Sequence, residues 1–252
     1  MLNILLSGVG GAMGHMLQTI IGEDPDCQIV AGFDINTDQD TPFPVYSDLS
    51  QCAEKADVSI DFSHYKAFDS IFGYARDTKT PIVIAPTGLS EANLADIEAG
   101  SKEFPVFRTA NMSLGINLLA KALRDMAGAL EDGFDIEIIE KHHNKKADAP
   151  SGTALALADS INEEFNNEYT YVYDRSTRRQ KRDKKEIGLS AVRGGTIVGD
   201  HDVIFAGEDE VITFSHTAYS KNVFAKGAVQ AAKFLKGKPA GLYDMSDVIE
   251  GV

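Results

Sequence analysis

The first part of the chain alternates short apolar runs with segments whose apolar side chains recur at helical spacing. LNILLS (residues 2–7) predicts a strand, residues 13–22 predict a helix, and QIVAGFD (residues 28–34) predicts a second strand. Three later segments predict strands that end in small or polar residues: VSIDFS (58–63), PIVIAPTG (81–88) and PVFRTAN (105–111). This order is typical of βαβ units in a parallel sheet, whose carboxyl ends line a ligand crevice.

The pattern changes in the second half of the chain. Residues 114–131 predict a long helix, and FDIEIIEKHH (134–143) alternates apolar and polar side chains as a half-buried strand does. Residues 186–218 predict several antiparallel strands with GEDE (207–210) as a hairpin loop, and residues 222–237 predict a helix that docks on the first sheet. We therefore predict an α/β protein whose dinucleotide-binding domain (1–108 and 218–252) is interrupted by an α+β domain with a mixed sheet (109–217).

Composition narrows the classes of function. Hydrophobic residues make up 43% and charged residues 25% of the 252 residues, and no apolar run approaches the roughly 20 residues that span a bilayer. We therefore expect no membrane insertion. The net charge of -14 argues against nucleic acid as a partner, because phosphate binding relies on a surplus of lysine and arginine. The first residues lack the basic stretch of a signal peptide, which predicts a cytoplasmic protein.

Two local features are interpreted as incidental to the chemistry. Cys27 and Cys52 form no CxxC pair, and we expect both to be buried thiols without a function. DRSTRRQKRDKKE (residues 174–186) contains seven basic and three acidic side chains and is interpreted as a solvated, mobile loop. Contact of this loop with a substrate or a neighbouring subunit is the alternative.

GVGGAMG (residues 8–14) links the first predicted strand to the first predicted helix. Its glycines at positions 8, 11 and 14 fit GxxGxxG, whereas GxGxxG fits only as far as Gly10. Glycine lets a phosphate approach the backbone, and the free N–H groups of a helix start bind anions. Asp34 ends the second strand, where a carboxylate can accept hydrogen bonds from an adenosine ribose. We therefore predict a dinucleotide site, with a tight turn and an ordinary strand-end aspartate as the alternative.

The same region predicts a cofactor preference. Asp34 favours NADH over NADPH, because its carboxylate repels a 2′-phosphate and Ile35 offers no cation to hold one. PTG (residues 86–88) and TANM (residues 109–112) follow later strands and are predicted to flank the nicotinamide half of the cofactor. On the residues alone, these two loops could equally be plain turns.

EKHHNKKADAPSGTA (residues 140–154) gathers groups suited to binding and proton transfer. Strand alternation should send His142 and His143 to opposite sides, so they are not expected to chelate one metal ion, and no metal site is predicted. Histidine titrates near neutral pH, and His142 is a candidate proton donor.

Helical spacing after this point predicts that residues 150–153 begin a helix, with Ser151 or Thr153 as its cap. A helix start beside the ammonium group of Lys145 or Lys146 is a good receptor for a carboxylate. A capped helix behind a solvated polar turn is the alternative for this segment alone.

Four segments together resemble the 4-hydroxy-tetrahydrodipicolinate reductase family: VGGAMG, EKHHNKKADAPSGTA, AVRGGTIVGDH and FAKGAVQAAKFL. The resemblance extends over essentially the entire chain. It implies a Rossmann-like domain built from both chain ends, an inserted substrate domain that also forms a homotetramer, and hinge closure between the domains. It also implies hydride transfer from NADH or NADPH to a cyclic, unsaturated dicarboxylate in the diaminopimelate route to lysine.

By motif match, the resemblance implies roles for individual residues. His142 and Lys146 would be the catalytic pair, and His143, Gly152 and Thr153 would contact the substrate. The residues placed around the cofactor are Gly8, Val9, Gly10, Gly11, Ala12, Met13, Asp34, Ala85, Pro86, Thr87, Thr109, Ala110, Asn111 and Met112.

The chain departs from the family pattern in two ways. Many relatives carry a basic residue where Ala12 and Ile35 stand, which weakens the case for NADPH. Relatives often have a Gly-Thr-Thr-Gly loop where this chain has Ala85 to Gly88, so a hydroxyl contact at Pro86 is lost. Two other functions compete: a related amino-acid or sugar dehydrogenase, and a non-catalytic NAD-binding sensor.

Overall fold

The structure is a computed structural model that describes residues 1–251, and the chain divides into two units. Unit 1 contains residues 1–112 and the residues from 222 onward, and unit 2 contains residues 113–221. The predicted breaks after residues 108 and 217 thus lie before the observed breaks after 112 and 221. Residues 109–112 stay with unit 1 because the Met112 carbonyl packs against the helix that carries Gly227, where an added Cβ would come within 1.7 Å of that oxygen.

The elements alternate along unit 1, change character in unit 2 and end with a return to unit 1. In chain order they are β1 (Leu2–Ser7), α1 (Ala12–Gly22), β2 (Cys27–Phe33), β3 (Val45–Tyr46), β4 (Val58–Asp61), α2 (Phe68–Thr78), β5 (Ile82–Ile84), α3 (Glu91–Ser101), β6 (Pro105–Arg108), α4 (Leu114–Leu130), β7 (Asp135–His142), α5 (Gly152–Asn162), β8 (Thr170–Val172), β9 (Glu186–Arg193), β10 (Gly199–Ala206), β11 (Val211–Ala218), α6 (Asn222–Leu235), β12 (Gly241–Tyr243) and α7 (Met245–Glu250).

Unit 1 contains a seven-stranded, Rossmann-like sheet in the order β12-β6-β5-β4-β1-β2-β3, in which every neighbouring pair is parallel. Its central strands are almost wholly buried, because helices pack on both faces. Leu5, Ile82 and Ile84 pack with the apolar side of α2 and α3. Helix α6 contacts β4, β5 and β6, which confirms the prediction that the last long helix docks on the first sheet.

Unit 2 contains a five-stranded mixed sheet in the order β11-β10-β7-β9-β8. Burial alternates residue by residue along β7 and β10, as expected of strands with one face on a core. Ile136, Ile138, Val203 and Phe205 point to the face that packs with α4 and α5. The opposite face, here called the outer face, carries Ile139, Asp202, Ile204, Val211 and Ser215.

The strand pairing in unit 2 corrects one prediction. Residues 186–218 were expected to form several antiparallel strands of a mixed sheet; the mixed sheet is confirmed, and β10 is antiparallel to both β7 and β11. Strand β9, however, runs parallel to β7 and to β8. The chain between β7 and β9 includes α5. A crossover through a helix brings the chain back to the end of the sheet where β7 began, so β9 runs in the same direction as β7.

The basic segment at residues 174–186 is not simply a solvated loop. Arg175 and Arg178 both pair with Glu186, which is 3% exposed, and Arg175 also contacts Glu137. Arg182 pairs with Asp135 on β7 and donates hydrogen bonds to two backbone carbonyls. Most of the arginine charge is therefore bound to acidic groups of the same sheet.

Other expectations concern the cysteines and the membrane. Cys27 is buried and Cys52 is half-buried, both are free, and burial raises the pKa of each thiol. Among residues 1–251, we find no helix with the length and apolar character needed to span a membrane.

Candidate active site

The glycine loop of unit 1 has the geometry that the GxxGxxG spacing predicts. Gly8 has a φ of +87°, and an added Cβ there would lie 2.8 Å from the carbonyl oxygen of Phe62. An added Cβ at Gly14 would lie 2.1 Å from the Gly8 oxygen, so α1 packs directly on the loop. Side chains at either position would force the loop and the helix apart.

The start of α1 is open to an anion. Gly11 is the N-cap residue and supplies no side chain, and the first turn contains no acidic residue. Gly10, Gly11 and Ala12 are exposed, and Val9 is buried beneath them. The first N–H groups of a helix have no partners within the helix, and they attract negative charge.

Asp34 is bound to this loop. One carboxylate oxygen accepts a hydrogen bond of 2.9 Å from the Gly10 N–H, and the other accepts one of 3.1 Å from the Asn36 N–H. The next side chain, Ile35, is 90% exposed. The carboxylate therefore lies beside the glycine loop, and the neighbouring position is open to solvent.

The other predicted cofactor residues follow strands that are neighbours in the same sheet. Residues 85–87 follow β5, and residues 109–112 follow β6. Because these strands and β1 are parallel, all of these loops emerge at the carboxyl edge of the sheet. Pro86 has no hydroxyl group, and the Thr109 hydroxyl donates a hydrogen bond to the Asn111 carbonyl.

Asp61 is a buried carboxyl group at this edge that the sequence analysis did not single out. It is 0% exposed, and it accepts hydrogen bonds from the Ser7 hydroxyl and the Ser63 N–H. Burial raises the pKa of Asp61, against the effect of these donors. Its place at the end of the apolar strand VSID was the available signal.

The second group of predicted residues lies in unit 2, between the end of β7 and the start of α5. Ser151 is the N-cap, and its hydroxyl accepts a hydrogen bond of 3.1 Å from the Ala154 N–H. Of the two predicted caps, Ser151 thus fills the position. Gly152 is exposed, and an added Cβ would meet nothing within 4 Å, so the approach to the helix start is open.

Glu140 organises this region. It is fully buried, and it accepts hydrogen bonds from His142 Nδ1 at 2.6 Å and from the Ser151 N–H at 2.9 Å. Both terminal nitrogens of Arg193 lie 2.7 Å from its carboxylate oxygens. Burial raises the pKa of Glu140, but Arg193, His142 and the Ser151 N–H outweigh it and hold that pKa below its usual range. The carboxylate is therefore ionised near neutral pH.

His201 on β10 completes the buried part of the site. Its Nε2 lies 3.2 Å from the Ser151 hydroxyl, and its ring meets that of His142 edge-on with 5.2 Å between centroids. Burial, with the nearby His142 ring, lowers the pKa of His201 to about 4. His201 is therefore neutral at pH 7.

Lys146 joins the same network. Its ammonium group lies 2.9 Å from an Asp148 carboxylate oxygen, and Arg193 donates a hydrogen bond of 2.7 Å to the Asp148 carbonyl. Lys146 holds the pKa of Asp148 below its usual range. Lys145 is exposed, whereas the Lys146 side chain is only 21% exposed. Lys146 is thus the lysine that lies within this network, and Lys145 remains on the surface.

The two histidines differ in their surroundings. His142 is buried and bonded to Glu140, whereas His143 is half-buried and its carbonyl accepts the Lys146 N–H. Among the described residues, His143 Nδ1 is a buried nitrogen with no hydrogen-bond partner. No group of three or more His, Cys, Asp or Glu side chains in residues 1–251 is arranged to hold a metal ion.

Comparison with known proteins adds an independent line of evidence. The family model for the N-terminus of dihydrodipicolinate reductase matches residues 2–112, and the model for its C-terminus matches residues 115–249. A 4-hydroxy-tetrahydrodipicolinate reductase from Caldanaerobacter subterraneus subsp. tengcongensis is 53% identical over 250 residues, covering 99% of each chain. The protein of the same name from Clostridium novyi is 45% identical with the same coverage.

Solved structures agree on the fold. A dipicolinate-bound dihydrodipicolinate reductase from Paenisporosarcina sp. TG-14 superposes with a TM-score of 0.79 at 21% identity, covering 97% of each chain. A myo-inositol dehydrogenase from Corynebacterium glutamicum superposes with a TM-score of 0.61 at 14% identity, covering 99% of this chain and 92% of that one. At these identities the likeness shows the fold alone.

Proposed function

The chain belongs to the dihydrodipicolinate reductase family, and we propose that it uses NADH or NADPH to reduce 4-hydroxy-tetrahydrodipicolinate, by way of dihydrodipicolinate, to tetrahydrodipicolinate. This step belongs to the diaminopimelate route to lysine. One structural observation supports the proposal most directly: the buried carboxylate of Glu140 joins His142 to the start of α5. A proton donor and an anion-receptive helix start are thereby held together.

The substrate is a dicarboxylate, and unit 2 offers three groups to bind it. The exposed N–H of Gly152 and the side chain of Thr153 lie in the first turn of α5, where the helix dipole attracts anions. Lys146 adds an ammonium group on the loop before the helix. We assign His143, the half-buried neighbour of His142, to the same binding surface.

A reduced nicotinamide nucleotide supplies the hydride when bound, and residues of this chain must supply the proton. His142 is the donor in this proposal, because the ionised Glu140 carboxylate at Nδ1 fixes the orientation of the ring beside the start of α5. Lys146 neutralises a substrate carboxylate and holds the ring in place. General acid catalysis of this kind is typically worth about 10² to 10⁴ in rate.

The proposed cofactor site is the glycine loop with the first turn of α1, together with Asp34 and the loops at residues 85–87 and 109–112. We propose that NADH is preferred over NADPH. The Asp34 carboxylate beside Gly10 disfavours a 2′-phosphate, and the exposed Ile35 provides no positive charge.

We also propose that the protein is a homotetramer assembled through the outer face of the unit 2 sheet. The outer face carries half-buried Ile139 and Ile204 and exposed Val211, a mixture that suits contact with a second copy of the sheet. Mass in solution, compared between the wild-type protein and Val211→Asp, tests this arrangement.

The function is tested by mixing the purified protein with NADH and freshly generated synthase product while following absorbance. Oxidation of NADH that depends on this product supports the reductase. Oxidation only with an amino acid or a sugar as the added compound would identify a related dehydrogenase. Binding of NADH without turnover of any of them would identify a nucleotide sensor.

A further inference from the structure

Glu140 has four hydrogen-bond donors on its two carboxylate oxygens: His142 Nδ1, the Ser151 N–H and both terminal nitrogens of Arg193. One oxygen faces His142 and Arg193, and the other faces Ser151 and Arg193. A buried carboxylate with this many donors is ionised and accepts only, so the hydrogen of the 2.6 Å contact belongs to His142 Nδ1.

This arrangement fixes the role of the second ring nitrogen. His142 Nε2 has no hydrogen-bond partner among the described residues. Gly199 lies close to this nitrogen, since an added Cβ there would be 3.1 Å from Nε2. With Nδ1 bonded to Glu140, Nε2 is the ring nitrogen that can face a substrate.

We infer that Glu140 is a positioning residue: clamped by Arg193, it holds the His142 ring and keeps its Nδ1 protonated, so that Nε2 is the proton donor. This inference rests on the proposed function, in which His142 supplies the proton. Arg193 acts through Glu140, and the same carboxylate fixes the Ser151 N–H at the start of α5. Glu140 therefore holds the proton donor and the carboxylate-binding helix start at a fixed position relative to each other.

Other charged and titratable groups face this cluster from several elements. His201 approaches from β10, Arg193 from β9, and Lys146 with Asp148 from the loop before α5. Within residues 1–251, Glu140 is the charged or titratable group that hydrogen-bonds a ring nitrogen of His142. His201 contacts the ring edge-on instead, and Lys146 is paired with Asp148.

Glu140→Gln tests the inference because a carboxamide keeps the shape and replaces one acceptor by a donor. The new amide can take two orientations. If its oxygen faces Ser151, the NH₂ group points at one N–H donor of Arg193. In the reverse orientation, the NH₂ group points at both the Ser151 N–H and a donor of Arg193. The first orientation is therefore favoured, and it turns an NH₂ group toward His142 Nδ1. The neutral ring must then carry its hydrogen on Nε2.

The first measurement needs no substrate. Histidine-selective ¹⁵N labelling, with the His142 signals assigned by their loss in His142→Gln, reports which ring nitrogen is protonated. We expect an Nδ1-protonated neutral ring in the wild-type protein and an Nε2-protonated ring in Glu140→Gln. The same tautomer in both proteins overturns the inference, whatever reaction the enzyme performs.

The second measurement is a double-mutant cycle with the dicarboxylate substrate. Glu140→Gln should lower kcat about 10- to 100-fold with KM changed less than about threefold, because one part of the general-acid contribution is lost. In a His142→Gln background, the same change should cost less than about twofold, because the group it positions is gone. Equal losses in both backgrounds would show a structural role alone.

Glu186→Gln is the matched control. Glu186 is also buried and paired with two arginines, Arg175 and Arg178 of the segment before β9, but it has no contact with His142. We expect its kcat to stay within about twofold of the wild-type value, and its His142 signals to stay unchanged. If Glu140→Gln does not fold, Arg193→Lys, which cannot reproduce the two-pronged contact, replaces it in the double-mutant cycle and is judged by the kinetic outcomes, because Glu140 stays a carboxylate in that variant. Absence of turnover in the wild-type protein would overturn the proposed function, and the tautomer measurement would still decide this inference.

Discussion

The Arg193 side chain on β9 reaches diagonally to Glu140 on the neighbouring parallel strand β7, and each terminal nitrogen of Arg193 lies 2.7 Å from a carboxylate oxygen, whereas the residue directly across from Arg193 is His142. The Glu140 side chain is fully buried and that of Arg193 is 19% exposed. Removing the cation therefore leaves a buried charge without its main partner. The pair should therefore matter for stability as well as for the position of His142.

Arg193→Met is expected to lower the free energy of unfolding by about 3–5 kcal/mol, the typical cost of breaking a buried ion pair from one side. Urea unfolding of the cofactor-free protein measures the change. The double variant Glu140→Gln/Arg193→Met should recover part of the loss, because no unpaired charge remains. A double variant that is less stable than Arg193→Met would contradict this explanation.

Lys146→Ala is expected to lower kcat/KM about 100-fold or more, because carboxylate binding and ring alignment are both lost. Lys145→Ala is the matched control: it removes the same charge from the neighbouring, exposed position, and kcat/KM should stay within about threefold. Steady-state kinetics with varied substrate measure both. Equal effects of the two substitutions would mean that only the net charge of the loop matters.

Cofactor preference should respond to position 35. Wild-type kcat/KM is expected to be higher with NADH, and Ile35→Arg should raise the ratio for NADPH over NADH about tenfold by adding a cation for the 2′-phosphate. Ile35→Gln, a long neutral side chain at the same exposed site, should leave the ratio unchanged. A tenfold advantage of NADPH in the wild-type protein would refute the assignment of Asp34.

Gly199→Ala is expected to lower kcat about tenfold or more without unfolding the protein, because the new Cβ lies 3.1 Å from His142 Nε2 and crowds the proton donor. Gly128→Ala in α4 is the control, since an added Cβ there meets nothing within 4 Å. That change should leave kcat unaltered and raise stability by about 0.5–1 kcal/mol. If the kcat of Gly199→Ala equals that of the wild-type protein, the space beside Nε2 is not needed for turnover.

The free energy of unfolding should decrease as the pH is lowered, because His201 is harder to protonate in the folded protein than in the unfolded chain. Its pKa is lowered from 6.5 to about 4, so between these values the unfolded chain binds a proton that the folded protein does not. The contribution is fully present above about pH 6.5, and about 3 kcal/mol is lost as the pH falls to about 4. Urea unfolding at several pH values measures this slope. His201→Gln should reduce it, and an unchanged slope would assign the loss to other groups such as Glu140.

Local sequence patterns predicted unit 1 well. The apolar run of β1, the glycines at 8 and 14 and the carboxylate at Asp34 lie close together in the chain or at the ends of adjacent strands, so spacing alone constrains their arrangement. The order and direction of strands in unit 2 are less accessible, because the parallel pairing of β7 with β9 depends on a crossover of more than forty residues. No short-range pattern encodes it.

In the candidate substrate site, too, the features set by local sequence could be predicted and those set by distant strands could not. The helix start at Ser151 and the importance of His142 and Lys146 followed from local spacing and from resemblance to a family. The role of Glu140 was accessible in part, because it lies two residues before His142 on the same strand face. Arg193 and His201 come from other strands, and only the folded sheet brings them to that face.

The ion pairs made by the basic residues of 174–186 reduce the positive charge that this segment presents to other molecules. Four of the seven basic side chains there, Arg175, Arg178, Arg182 and Lys185, are paired with acidic groups, which leaves Arg179, Lys181 and Lys184 exposed. The sequence of this segment suggests a surface that binds polyanions, but most of its positive charge is paired with acidic side chains of the same protein. With a net charge of -14 over the whole chain as well, the native protein should flow through a cation-exchange resin at neutral pH.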